Sequence, residues 1–206
     1  MQLNFFENNS FLLSDNHSEM VSKWKDSNCR ACQLGNEGRK APVIYGGDPY
    51  SNIVFIGEAP GKEEDHLGLP FVGATGKLLF SWFLEFGIDI GKKAYLTNVS
   101  KCRPSKNRTP TTKERKICGP FLLRELQLKN ELEEIRLIIP LGKIATEFSL
   151  GKILRLENVI GRENDCNLPF LKEAKVFPLY HPAYQLRNPS IAPKIQKDVQ
   201  KLISYF

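Results

Sequence analysis

Residues 52–73 read NIVFIGEAPGKEEDHLGLPFVG, an apolar run that stops at a Gly/Pro-punctuated turn dense in carboxylates. Ile53, Val54, Phe55 and Ile56 show no polar alternation, which marks a strand buried on both faces, as in a parallel sheet covered by helices. In such sheets ligands sit beyond the carboxyl ends of the strands. Gly57, Pro60 and Gly61 turn the chain at that point, and Glu58, Glu63, Glu64, Asp65, His66 and Phe71 crowd the loop that follows. Glycine lets backbone come close to a guest, so a flat group can rest on peptide N–H groups here with Phe71 over one of its faces.

Working outward, three more short β-rich runs occur at Ala94 to Val99, Arg136 to Leu141 and Lys175 to Tyr180. Helical spacing fills the intervals. Leu78, Leu79, Trp82, Phe83 and Phe86 recur at helical steps within Thr75 to Phe86, Thr111 caps a pattern running to Glu134, and Gly142 to Leu150 and Lys194 to Phe206 complete the set. Strand and helix alternate, so the chain is expected to form a single α/β domain whose four-stranded sheet is mainly parallel, with right-handed crossovers. Each strand ends in a polar signal: GEAPG, Asn98, LGKIA and His181. These signals are predicted to share one edge, bringing Glu58, Asn98 and His181 to a common crevice.

Composition narrows the class. A chain of 206 residues with 41% hydrophobic and 25% charged residues fits one domain with a substantial core. No apolar stretch approaches the ~20 residues that span a bilayer, and the first twenty residues lack the basic start and long apolar core of a secretory signal. An intracellular protein is expected, cytoplasmic or associated with the nucleoid. The net charge of +6 is concentrated: between Lys101 and Cys118 stand Lys101, Arg103, Lys106, Arg108, Lys113, Arg115 and Lys116 against Glu114 alone. Such a patch in a loop-like segment, KCRPSKNRTP, points to a polyanion, with nucleic acid foremost.

Five cysteines occur, four of them at suggestive spacing. Cys29 and Cys32 form a CxxC, Cys102 and Cys118 lie farther on, and Cys166 stands apart. In a reducing compartment this pattern reads as four thiolate ligands of a metal centre, either zinc or a [4Fe-4S] cluster. A redox CxxC would follow a strand, and no apolar strand precedes Cys29.

Taken together, GEAPGKEED with LGLPFVGATGKLL, LTNVSKCRPSKNRTP, Cys118, LGKIA and YHPAYQLRNP resemble, in order and approximate spacing, the family-four uracil-DNA glycosylases. These are the iron-sulfur branch of the uracil-DNA glycosylase superfamily. The resemblance spans residues 29–206, leaving 1–28 as an amino-terminal extension, partly helical in expectation. It implies a [4Fe-4S] cluster held by Cys29, Cys32, Cys102 and Cys118, with zinc the alternative. It also implies a monomeric enzyme that takes uracil-containing DNA, flips the uracil out and hydrolyses its N-glycosidic bond, leaving an abasic site.

By the same resemblance, Gly57, Phe71 and Asn98 bind uracil, Glu58 handles the attacking water, and His181 donates to the departing base. Arg103, Lys106, Arg108, Leu186 and Arg187 would meet the DNA. Two departures stand out. Family-one enzymes place an aspartate where this chain has Ala59, which leaves Glu64 and Asp65 as substitute carboxylates near Glu58. A polar Gln185 precedes Leu186 in the loop that wedges into the duplex. The alternative function is a nonenzymatic iron-sulfur module that binds nucleic acid or transfers electrons.

Overall fold

The computed structural model describes residues 14–27, 29–37, 42–152 and 155–206. Its sheet contains β1 (Tyr45–Gly47), β2 (Ile53–Gly57), β3 (Tyr95–Asn98), β4 (Leu137–Pro140), β5 (Asn164–Asp165) and β6 (Lys175–Val176), in the spatial order β1-β3-β2-β4-β6-β5. The four expected strands are its parallel centre, β3-β2-β4-β6. Every side chain of β2, β3 and β4 is buried, as the unalternating apolar runs require.

Two antiparallel edge strands extend this centre beyond the four strands expected. They are three and two residues long, YGG and ND, and carry no apolar run of their own. Neighbouring strands impose their pairing. The β4–β6 ladder is short because Pro140 has no N–H to offer β6, yet the chain still tracks β4: Phe177 donates to the Ile138 carbonyl (2.8 Å) and Leu179 to the Pro140 carbonyl (3.0 Å).

Helices cover both faces of the sheet. On one side α3 (Ala74–Leu84) and α8 (Ala192–Gln200) press Leu79, Trp82, Phe83, Ile195 and Val199 against Ile53, Phe55, Leu96 and Ile139. On the other, α5 (Thr112–Leu132) and α6 (Gly142–Leu150) pack Leu122, Leu126 and Ala145 on Val54, Ile56, Tyr95 and Ile138. Thr111 caps α5 in a reciprocal box with Glu114, the signal read in the sequence. Two short helices arise where a loop was read, α2 (Lys62–Leu67) and α7 (Pro182–Arg187), and a third, α4 (Ile90–Lys93), where no element was read.

Part of the amino-terminal segment also joins the core. Residues 1–13 and 28 lie outside the described residues, but α1 (His17–Asp26) buries Met20, Val21 and Trp24 against α5, with Trp24 5.2 Å from Phe121 between ring centroids. The chain order places β3 and β4 on opposite sides of β2. A crevice opens at that switch point, outside the carboxyl ends of the strands.

Candidate active site

Gly57 and Asn98 are paired across β2 and β3 at the carboxyl edge. A Cβ on residue 57 would lie 2.3 Å from Asn98 Oδ1 and 2.9 Å from Phe71 Cζ, so only glycine leaves room for both side chains. Phe71 follows a loop that ends in a left-handed turn: its φ is +57°, an uncommon conformation for an aromatic residue, costing on the order of 1–3 kcal/mol. Glu64 holds that loop closed. Its buried carboxylate accepts from the Gly61 N–H (3.0 Å) and the Gly73 N–H (2.7 Å), tying the two ends of the turn together.

Asn98 is 2% exposed, and its carboxamide hydrogen-bonds to no described residue. The amide faces the cavity that Asn98 lines, where its donor and acceptor are left for a guest. His181 enters from the opposite side as the N-cap of α7, and its Nδ1 accepts from the Ala183 N–H at 3.1 Å. That bond assigns the proton of the neutral ring to Nε2, the atom left to donate. Burial, with the positive charge of Arg187, lowers the His181 pKa to about 4, so the imidazole is neutral at pH 7. Gly142 allows this approach: its φ is +78°, and a Cβ there would sit 3.0 Å from His181 Cβ.

Glu58 leaves β2 half-buried, and burial pushes its carboxyl above the usual range. The Thr109 hydroxyl and the charge of Arg115 oppose that rise. Glu58, Phe71, Asn98 and His181 thus line one cavity of about 420 Å³, shared with Glu64, Thr75, Pro104, Asn107, Arg108 and Arg187. The volume suits a small planar ligand.

The basic segment is redistributed by folding. Lys101 is 1% exposed, its Nζ 2.5 Å from Glu125 Oε2 and bonded also to Thr97 Oγ1, so it leaves the cationic surface read from the sequence. Arg108 reaches the cavity rim, but its fork is engaged by Glu114 (2.8 Å to each oxygen) and Glu37 (2.6 Å). The pair holds the Glu114 carboxyl down at about 2. Arg103 binds the Asn107 side chain (2.7 Å), and Lys106 is exposed at a backbone φ of +53°. On α7, Leu186 is 53% exposed and Arg187 is exposed beside the cavity; Gln185 is half-buried.

Cys29, Cys32, Cys102 and Cys118 line a second, small cavity with Trp24, Leu34, Ile117 and Phe121. None of the five cysteines forms a disulfide, and Cys166 lies elsewhere, in the core beneath α6. Burial above all, with smaller contributions from Cys32 and Cys29, pushes the Cys118 thiol up to about 12. Among the described residues no group of three potential ligands closes on one point tightly enough for a single ion.

Sequence reasoning missed the tie that Glu64 makes, the pairing of Arg108 and the approach that Gly142 permits. Glu64 stands three residues after Gly61, a capping-box spacing that could have revealed the first. Nothing local signals the other two.

A sheet that gathers a stacking ring, an unpaired amide, a carboxylate and a neutral imidazole at its switch point is the architecture of base excision. Residues 44–206 match the family described as the uracil DNA glycosylase superfamily. The chain is 39% identical to a type-4 uracil-DNA glycosylase of Thermotoga maritima over 91% of this chain and 92% of that one. It is 37% identical to a type-4 uracil-DNA glycosylase of Archaeoglobus fulgidus over 84% and 86%. A protein of Bacillus phage SP01 named DNA polymerase is 29% identical over 79% of this chain but only 17% of its own length. The chain belongs to the type-4 uracil-DNA glycosylases.

Proposed function

We propose that this protein excises uracil from DNA by hydrolysing the bond between uracil N1 and deoxyribose C1′, leaving an abasic site. One observation carries the reading: Phe71, Asn98, Glu58 and His181, separated by up to 123 positions in sequence, face a single cavity of base-accommodating size. A base must leave the stack to enter it. Phe71 stacks on the extruded ring. The Asn98 amide accepts from uracil N3–H and donates to O4, an arrangement that cytosine mismatches at both atoms.

Breaking the bond sends its electron pair to uracil and leaves positive charge on the sugar. His181 Nε2–H donates to uracil O2, where the negative charge gathers, and a neutral donor does so without giving up its proton. Glu58, when ionised, orients the attacking water and opposes the sugar cation. Glu64 keeps the loop shaped so that Phe71 faces the base, and Asp65 remains outside this set of contacts. Arg103, Lys106, Arg108 and Arg187 line the approach of the backbone, and Leu186 fills the vacated place in the duplex.

The four cysteines line one apolar cavity together, a four-thiolate set that suits a [4Fe-4S] cluster, with zinc the alternative. Bound there, the cluster supplies a structural cross-link, not a step of hydrolysis. No helix among the described residues is long and apolar enough to cross a membrane, and a monomer acting on DNA in the cytoplasm or nucleoid is the setting that fits.

The test is incubation of the purified protein with uracil-containing and thymine-containing oligonucleotides, then alkali cleavage. Scission confined to the uracil strand is expected. Equal absence of scission on both would remove the enzymatic reading and favour a nonenzymatic iron-sulfur module.

A further inference from the structure

The base pocket stretches along the carboxyl edge of the sheet from Asn98, at the end of β3, to His181, beyond β6. Its β3 flank is bordered by the basic loop that carries Arg103 and Lys106. A DNA strand laid across that edge needs positive charge on the β6 flank too, and the structure provides it. β5 runs antiparallel to β6 with Asn164 opposite Val176, so the turn leading into β5 stands at the same edge as the end of β6. Gly161 donates to the Pro178 carbonyl (2.9 Å), fixing that turn three residues from His181.

Between this turn and α8 lies a hollow of about 400 Å³. Arg162, Lys194, Lys197 and Lys201 face it with Glu157 and Asp198, leaving an excess of two positive charges. The hollow is a built one. Asp198, 4% exposed, fixes Lys194 (2.7 Å) and Lys201 (2.9 Å), and Lys201 also donates to the Gly161 carbonyl (2.9 Å). The Lys194 ammonium stands 5.5 Å from the Tyr180 ring centroid, and that ring stacks at 5.0 Å on Tyr184 of α7. Arg162 and Lys197 are exposed and have no carboxylate partner among the described residues. The apolar side of α8 is spent on the core through Ile195 and Val199, so its lysines were free to be placed for another purpose.

We infer that this hollow seats a backbone phosphate of the DNA strand on the β6 side of the extruded nucleotide, with Arg162 and Lys197 as its principal cations. The inference rests on the pocket being a uracil-in-DNA site. Phosphates so held release counterions but carry no base information, so they set affinity and its salt dependence without touching the chemical step.

The experiment measures binding to a uracil-containing duplex across a salt series, alongside single-turnover excision at saturating enzyme. R162Q/K197Q is expected to lower the slope of log affinity against log salt by roughly 0.9, the value for one lost phosphate contact, with the excision rate unchanged. The charge-preserving R162K/K197R keeps the parental slope, and so does K172Q, which removes a cation at the opposite edge of the sheet. Shortening the duplex on one side of the uracil, and not on the other, abolishes the difference between parent and R162Q/K197Q. A parental slope in R162Q/K197Q on the full duplex overturns the inference while excision stands; absence of uracil excision in the parent overturns the functional reading instead.

Discussion

The base pocket and the cysteine cavity share the segment from Lys101 to Cys118, yet they are built on opposite principles. The pocket keeps polar groups in place with their hydrogen-bonding capacity unspent: among the described residues the Asn98 carboxamide and the His181 Nε2–H have no partner. The cavity is closed by Trp24, Leu34 and Phe121, and burial drives the Cys32 and Cys118 thiols toward the neutral form. One region is finished before its guest arrives, while the other is unfavourable until something positively charged enters. Activity and stability should therefore separate between them.

The largest effect is expected at the cavity. Cys118→Ser should abolish cluster binding, seen as loss of the visible charge-transfer absorption, and lower Tm by roughly 10 °C or more. The damage should spread to the pocket, because Glu37, eight residues after Cys29, holds Arg108 and the Ser105 N–H (2.6 Å) of the pocket-lining loop. An unchanged melting curve with full activity would show that the two regions are independent.

Next in size is Asn98→Leu, expected to cost roughly 10⁴-fold in kcat/KM on uracil DNA, since the polar edge of the base would be buried unpaired. Its Tm should change little, because the carboxamide makes no hydrogen bond to a described residue. A large fall in stability would mean that Asn98 serves the fold.

His181→Ala follows, with a loss of about 10²- to 10³-fold in the single-turnover rate. It also gives a pH signature. His17 and His181 both titrate near 4 when folded and near 6.5 when unfolded, so between those values the unfolded chain binds more protons. Their stabilising contribution is complete above pH ~6.5 and disappears as pH falls through 4. His181→Ala should remove about half of that histidine-linked slope in urea unfolding, and an unaltered slope would place the ring in solvent. On the activity side, rate should rise with pH as Glu58 ionises, with a midpoint above that of an ordinary glutamate, and Glu58→Gln should flatten this limb.

The smallest change is expected from Leu186→Ala. It should lower the rate on duplex by on the order of tenfold and leave single strands nearly unaffected, since only the duplex requires a wedge. Equal losses on both substrates would assign Leu186 to the fold of α7.

The central strands were legible because β2 and β4, buried on both faces, are apolar throughout and β3 and β6 lie in short β-rich runs, and the long helices because Thr111, Trp82 and Phe83 sit at positions only a helix makes sense of. The edge strands were not legible, since Gly46 and Asp165 carry no β signal and pair only because a neighbour offers its backbone. At the site, Glu58, Phe71, Asn98 and His181 could be named from strand ends and motif order. The fates of Lys101 and Arg108 could not: one is buried against Glu125 and the other is shared by Glu37 and Glu114, partners 24, 71 and 6 residues away.

What the sequence determined by itself was therefore the order of strands and helices and the identity of the reactive side chains at their ends. These are local properties, written in hydrophobic period and turn chemistry. Folding alone decided which charges stay free, which tautomer His181 adopts, how Phe71 is held in its turn and that a second cationic hollow adjoins the pocket. Each depends on groups remote in the chain, where Coulomb energy and desolvation are set by distances that only the packed structure defines.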